Sequence, residues 1–285
     1  MIFVSSACSR RQWIREAVAE LAGHGFRNIE LSGGTGYYDD LEYDLLRLRD
    51  RHGLNYLIHN YFPPPKSDFV INLASPDRRL RERSLAHLIG TIDLCRRLGI
   101  DRYGIHAGFL VDPDLSMLGG QISGQKIADR EDCFQRFVTA LRQLVRHGGD
   151  EVRVYVENNV CSRTNRDCFG GDVPLMGLRF REMEEIRGAT GCGILCDVAH
   201  LFVTSCSLGL DFPCELAQFM ATADYLHVSD NDGLEDQNRE LHEEGIIFSQ
   251  LKGYPLRDRI ITLEIYEGYD ALQHSLDLLS GLTAR

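Results

Sequence analysis

Lysine is nearly missing from this sequence: Lys66, Lys126 and Lys252 are the only three among 31 basic residues. The arginines that replace it form no basic block, and 42 acidic residues bring the net charge to −11. A chain this acidic repels nucleic acid unless positive charge is segregated onto one face, so a DNA partner is disfavoured from the start. No uncharged apolar run approaches the roughly 20 residues of a membrane span. Arg10 and Arg11 interrupt MIFVSSACSRRQW too early for a secretory apolar region. CxxC is absent, and the nine cysteines are odd in number and scattered, with Cys192/Cys196 and Cys161/Cys168 the closest spacings. That argues against a disulfide framework or zinc ribbon and for reduced thiols filling a core in a cytoplasmic, membrane-free protein. No GxGxxG or GxxxxGK[ST] follows an apolar run, and GGTG at 33–36 makes a poor phosphate loop.

What is present is ordinary core-forming material, 44% hydrophobic and 26% charged over 285 residues. One unit recurs along the whole chain: a short apolar run, a loop, then an amphipathic helix. The runs are Ile2–Val4, Asn28–Leu31, Leu54–Ile58, Arg102–Ile105, Val152–Val156, Gly193–Cys196, Tyr225–Val228 and Ile260–Leu263. They are β-rich and mostly not alternating, as parallel strands covered on both faces should be. Helical patterns fall at Arg10–His24, Asp40–His52, Asp77–Leu98, Arg130–His147, Arg179–Thr190, Leu210–Ala221 and Tyr269–Leu279, with a weaker one at Gly245–Leu251. Glycines 25, 53, 99, 148 and 191 stand where helix C-caps belong. Eight such units predict an α/β fold, a single (β/α)8 TIM barrel over residues 1–285, ahead of a doubly wound open sheet. Its long βα loops fall at about 60–75, 107–129 and 158–178. PPP at 63–65 should stiffen the first and repeated glycines should loosen the second.

In such a barrel the C-terminal strand ends converge on one mouth. Here they carry His59, His106, Glu157, Asp197 with His200 close behind, His227 and Glu264. Carboxylates that crowd one another this closely cannot all stay charged unaided. A divalent cation relieves the repulsion, and mixed nitrogen and oxygen donors favour Mn, Zn, Co or Fe. Glu157, Asp197, His227 and Glu264 form the central ligand set. His59, His106, His200 and His242 are further candidates for additional metals or for substrate.

The order Glu, Asp, His, Glu across strands five to eight resembles the xylose isomerase-like TIM barrel superfamily. Two of its branches are similar, the sugar isomerases and epimerases and the apurinic endonuclease IV enzymes. INLASPDRRLRERSLAHLIGTIDLCRRLGIDRYGIHAG at 71–108, ENN at 157–159, DVAHLF at 197–202 and LEI at 263–265 resemble the endonuclease branch. That resemblance implies a trinuclear site. His59, His106 and Glu157 would surround one metal; Glu157 would bridge to a second with Asp197, His227 and Glu264; His200 and His242 would hold a third. The family supplies an aspartate two residues before its last histidine, and Glu240 stands there in this sequence. NIELSGG with Glu30 resembles the sugar branch, and two features depart from the nuclease pattern: HAGF in place of a histidine-proline-glycine run, and the inserted CSRTNRDCFGGDVPLMGL at 161–178 where the nuclease family has a compact loop.

The resulting expectation is a divalent-metal-dependent sugar isomerase or epimerase, acting by proton transfer next to a carbonyl through an enediolate. Glu157 and Glu264 serve as its catalytic pair. One metal is expected, with ligands enough for up to three. Xylose isomerase proper also uses a lysine near strand five. This chain has none between Lys126 and Lys252, so a two-glutamate proton transfer fits better than a hydride shift. The alternatives are an endonuclease IV-like phosphodiesterase acting on abasic DNA, and another metal-dependent lyase or hydrolase of small molecules. A carbohydrate is the expected partner, and a homo-oligomer is compatible with all of this.

Overall fold

The computed structural model describes residues 1–284, in which the eight apolar runs are parallel strands. They are β1 (Ile2–Ser5), β2 (Asn28–Leu31), β3 (Asn55–His59), β4 (Arg102–His106), β5 (Arg153–Glu157), β6 (Gly193–Asp197), β7 (Tyr225–Val228) and β8 (Ile260–Leu263). Each pairs with its chain neighbours, and β1 closes on β8 through Ile2↔Ile261, Phe3↔Thr262 and Val4↔Leu263. The architecture is the (β/α)8 barrel that the repeat predicts. β3, β4, β5 and β6 each run one residue beyond the apolar stretch, because His59, His106, Glu157 and Asp197 are still in ladder register with their neighbours. Their side chains therefore project from rigid strand rather than loop.

The helices are α1 (Ile14–Gly23), α2 (Leu41–His52), α3 (Arg78–Leu98), α4 (Arg130–Gly148), α5 (Arg163–Cys168), α6 (Phe180–Thr190), α7 (Val198–Leu208), α8 (Phe212–Thr222), α9 (Ile246–Leu251) and α10 (Tyr269–Thr283). Asp77, Asp129 and Asp211 cap α3, α4 and α8 by accepting a backbone N–H, so each lies just outside its helix. Gly99 ends α3 in the left-handed region at φ 69°, as expected of a helix C-cap. After α4 the turn falls one residue later than the pattern suggests, at Gly149. Periodicity does not reveal α7. Nine of its 11 residues are buried, and a helix covered nearly all round shows no polar stripe. All nine cysteines are free, six of them buried. Among the described residues no helix is long and apolar enough to cross a membrane.

The three long loops are tied to one another. Buried Asn72 donates to the carbonyls of Phe109 and Val111 and to Asp112, and accepts from the backbone N–H groups of Ala74 and Phe109. Asn165 accepts from the Ile122 N–H and donates to the Gly120 carbonyl, fastening the glycine-containing loop that composition alone would call loose. Phe109 and Leu175 form an antiparallel bridge. Val111, Ile122, Cys161, Leu175 and Leu178 bury a small second core beneath these loops. The result is a built wall beside the barrel mouth.

Candidate metal centre

Glu157 is the hub of the mouth. Its Oε2 lies 2.7 Å from His59 Nε2 and 3.0 Å from His106 Nδ1. Its Oε1 lies 3.3 Å from His227 Nδ1 and 3.7 Å from His200 Nδ1. Glu264 Oε2 approaches the same His227 Nδ1 at 3.8 Å. Donor atoms of Glu157, Asp197 and His227 all fall within 4.8 Å of one another. The same holds for His59, His106 and Glu157, and for Glu30, His59, His227 and Glu264.

Local sequence explains the placement. Asp197 Oδ1 accepts the His200 backbone N–H at 2.7 Å, so DVAH is a capped helix start that presents His200 on the side of its own cap. Asn158 braces β5 against β6, donating to the Asp197 carbonyl and accepting the Asp197 N–H, while its own carbonyl lies 2.9 Å from His200 Nδ1. Asn159 donates to the carbonyls of Ala107, Gly108 and Met176, linking the site to the loop wall. Gly104 makes room for the His59 ring: a Cβ there would stand 3.0 Å from His59 Cδ2 and from a Leu195 methyl.

These groups titrate under strong mutual influence. Burial opposes ionisation of Glu157, but the fields of His106, His59 and His227 prevail and hold its carboxyl well below the ordinary range. Burial pushes Asp197 up to about 7; His200 opposes this, while Glu157 and Asp236 add to it. Glu264 is also raised, by burial first, against the histidines 227 and 59. Burial disfavours the charged forms of His59, His200 and His227, yet the carboxylates around them keep all three raised. For His106 burial prevails and the pKa falls. Its side chain is 28% exposed and Glu264 13%, so the cluster opens to solvent at these two.

Glu157 Oε1, His106 Nδ1, His227 Nδ1 and Asp236 Oδ1 are buried without an aligned hydrogen-bond partner. Orphaned polar atoms cost about 1–3 kcal/mol each. Glu157, His106 and His227 belong to the donor groups that crowd one space, and a set of imidazole nitrogens and carboxylate oxygens suits a divalent transition cation. The residues fit such an ion.

Two residues expected near the cluster lie elsewhere. Glu240 turns to α10, its Oε1 2.5 Å from His274 Nδ1, and His242 is exposed. A backbone bridge between Asp230 and Arg239 folds the loop after β7 back on itself, and Glu240 and His242 follow it on either side of buried Leu241. Asp236, inside that fold, comes in instead and lies 3.3 Å from His200 Nε2. Glu30 is the second addition, fully buried within β2 with Oε1 2.9 Å from His227 Nε2. Glu30 carries the same signal as the others, a carboxylate near the C-terminal end of an apolar strand. Asp236 has no such signal.

The description of the family model that matches residues 18–282 is xylose isomerase-like TIM barrel. A probable endonuclease 4 of Mycobacterium leprae is 27% identical over 177 residues, 61% of this chain and 59% of that protein, so the match spans less than two thirds of the relative. Among solved structures, a D-tagatose 3-epimerase-like protein superposes with TM-score 0.72 at 18% identity, covering 99% of this chain and 97% of the other. Endonuclease IV from Thermus thermophilus gives TM-score 0.62 at 18% identity, covering 99% and 98%. The chain is a member of the xylose isomerase-like TIM barrel family.

Proposed function

We propose that the protein is a divalent-metal-dependent sugar isomerase or epimerase that moves a proton on the carbon next to a carbonyl. The observation that carries this reading is the disposition of Glu157 and Glu264, which approach His227 Nδ1 at 3.3 and 3.8 Å from strands three apart round the barrel. Their environments push their proton affinities in opposite directions, Glu157 down and Glu264 up. Divergent carboxyls of this kind supply a base and an acid at one pH. Glu157, Asp197, His227 and Glu264 would hold the cation, with Mn, Zn, Co or Fe suited to the donors. When bound, the cation polarises the substrate's carbonyl and hydroxyl oxygens. Ionised Glu157 takes the proton from one face of the carbon, and Glu264, at the solvent rim, returns one from the other.

The test is incubation of the metal-loaded protein with a panel of ketoses and aldoses in D₂O. Product carrying solvent deuterium beside the carbonyl supports two-base proton transfer. Retention of substrate hydrogen in the product excludes it, and no turnover across the panel removes the sugar reading. The His59, His106 and Glu157 donor set favours a second reading, metal-dependent phosphodiester hydrolysis at abasic DNA. Efficient chelator-sensitive incision of abasic duplex, weakening steeply with salt, would establish that reading in its place.

A further inference from the structure

Glu30 is a carboxylate at the bottom of the candidate site with no cation of its own. It is 0% exposed, and its ion-pair partner is His227. The two Glu30 oxygens have different surroundings. Oε2 accepts the phenol of Tyr225 from β7 and the hydroxyl of Thr262 from β8 at 2.9 Å, so two neighbouring strands fix the carboxylate in place. Oε1 is left facing His227 Nε2 at 2.9 Å, and neither atom has another polar partner although both are buried. The two lie within hydrogen-bond distance but short of full alignment. The other ring nitrogen, Nδ1, faces Glu157 and Glu264. A buried carboxylate is costly unless its oxygens are partnered, and Tyr225, Thr262 and His227 are the groups that face it.

We infer that Glu30 is a positioning residue: it accepts the Nε2–H of His227 and so directs the Nδ1 lone pair into the donor cluster, with Tyr225 and Thr262 holding Glu30 for that task. A histidine that binds metal through one nitrogen is aimed by the partner of the other, and loss of such a partner weakens metal binding roughly 10–100-fold. The inference deepens the metal reading above and rests on it.

The experiment is titration of the full chain, stripped with chelator, with Mn²⁺ and Zn²⁺, comparing wild type with Glu30→Ala, Glu30→Gln and Thr262→Val. Denaturation midpoints would be recorded beside the affinities. Glu30→Ala should weaken binding roughly 10–100-fold with unchanged stoichiometry. Glu30→Gln should recover most of the loss, because its amide oxygen can accept from Nε2–H while its NH₂ faces the two hydroxyls. Thr262→Val, which keeps the strand packing and removes one of the two hydrogen bonds to Glu30 Oε2, should weaken binding by a smaller factor even if Glu30→Ala does not fold. Nitrogen-15 spectra of the metal-loaded chain should place the single His227 proton on Nε2 in wild type and Glu30→Gln. If wild type binds no divalent ion, the metal reading itself is lost. If wild type binds and folded Glu30→Ala binds equally well, only the positioning role is lost. A drop of one metal per chain, with Glu30→Gln as defective as Glu30→Ala, would make Glu30 a direct ligand and overturn the inference.

Discussion

Replacing Asp197 with asparagine should stabilise the metal-free protein at pH 8, even though it removes a candidate ligand. The substitution changes little else. Asparagine keeps an oxygen for the His200 N–H that Asp197 accepts at 2.7 Å, and the bonds from Asn158 go to backbone atoms of residue 197. What disappears is a carboxyl that burial, Glu157 and Asp236 raise from 3.8 to about 7 against the pull of His200. A carboxyl whose pKa is higher in the folded than in the unfolded chain supports the fold in its protonated form. That support is complete below about pH 4 and is lost as pH rises through about 7. The interval corresponds to at most about 4 kcal/mol, and His200 returns part of it by losing the carboxylate that favours its charged form.

The assay is urea denaturation with chelator present, at pH 5 and pH 8, for both proteins. Folding also raises the proton affinity of His59, His200 and His227, so the informative quantity is the difference between wild type and variant at each pH. The variant should gain on wild type between pH 5 and 8. Saturating Mn²⁺ or Zn²⁺ should reverse the ranking, because wild type regains through binding what the variant cannot. A variant that is less stable than wild type at pH 8 in chelator, or an unchanged difference between the two pH values, would refute the idea that carboxylate crowding strains the metal-free site.

Three further outcomes rest on particular contacts. Glu264→Gln keeps an oxygen donor but removes the proton carrier; turnover of a sugar substrate should fall 10²–10⁴-fold while part of the metal binding survives, read by steady-state kinetics and metal analysis. Gly193→Ala would place a Cβ 2.4 Å from the Tyr155 ring, which packs against Tyr225 with centroids 5.4 Å apart. Overpacking of this kind costs about 1–3 kcal/mol, measurable as a lowered denaturation midpoint. Asn72→Ala removes the side chain that ties the loops after β3 and β4 together, and limited proteolysis should then cut within 107–129 at a protease level that leaves wild type intact.

The fold was legible because a barrel repeats one simple instruction. Strands buried on both faces read as continuous apolar runs, and the glycines that close the helices mark the return to each next strand. The failures come from the same physics. Val198–Leu208 is packed on nearly every side, so its composition resembles a buried strand or loop as much as a helix. The glycine-containing loop at 107–129 is held by the amides of Asn72 and Asn165, and long-range hydrogen bonds of this kind leave no local trace in a sequence.

The site divides along the same line, and Asp236 and Glu240 show why. Residues on strand ends could be located from sequence because parallel register fixes their height on the barrel: His106 pairs with Glu157 and Asp197 with His227 as ladder partners. Glu30, paired with Leu57 by that ladder, could have been found by the same rule. Past the last ladder bond, counting residues along the chain no longer measures distance from the centre. In the loop after β7, Asp230 and Arg239 exchange backbone hydrogen bonds at 3.0 and 2.9 Å, closing the eight residues between them into a fold of its own. Asp236 lies inside that fold and reaches His200; Glu240 lies one residue past its closing bond and reaches His274 instead. A spacing carried over from the family pattern selects Glu240 and His242, because it assumes a loop of the family's shape. The backbone bridge selects Asp236, so a third cation, if one binds beside His200, would meet Asp236 rather than Glu240. Asp236→Asn should then lower metal stoichiometry or affinity at that position while Glu240→Gln leaves both unchanged, and the reverse pattern in metal titrations would show that the loop opens in solution.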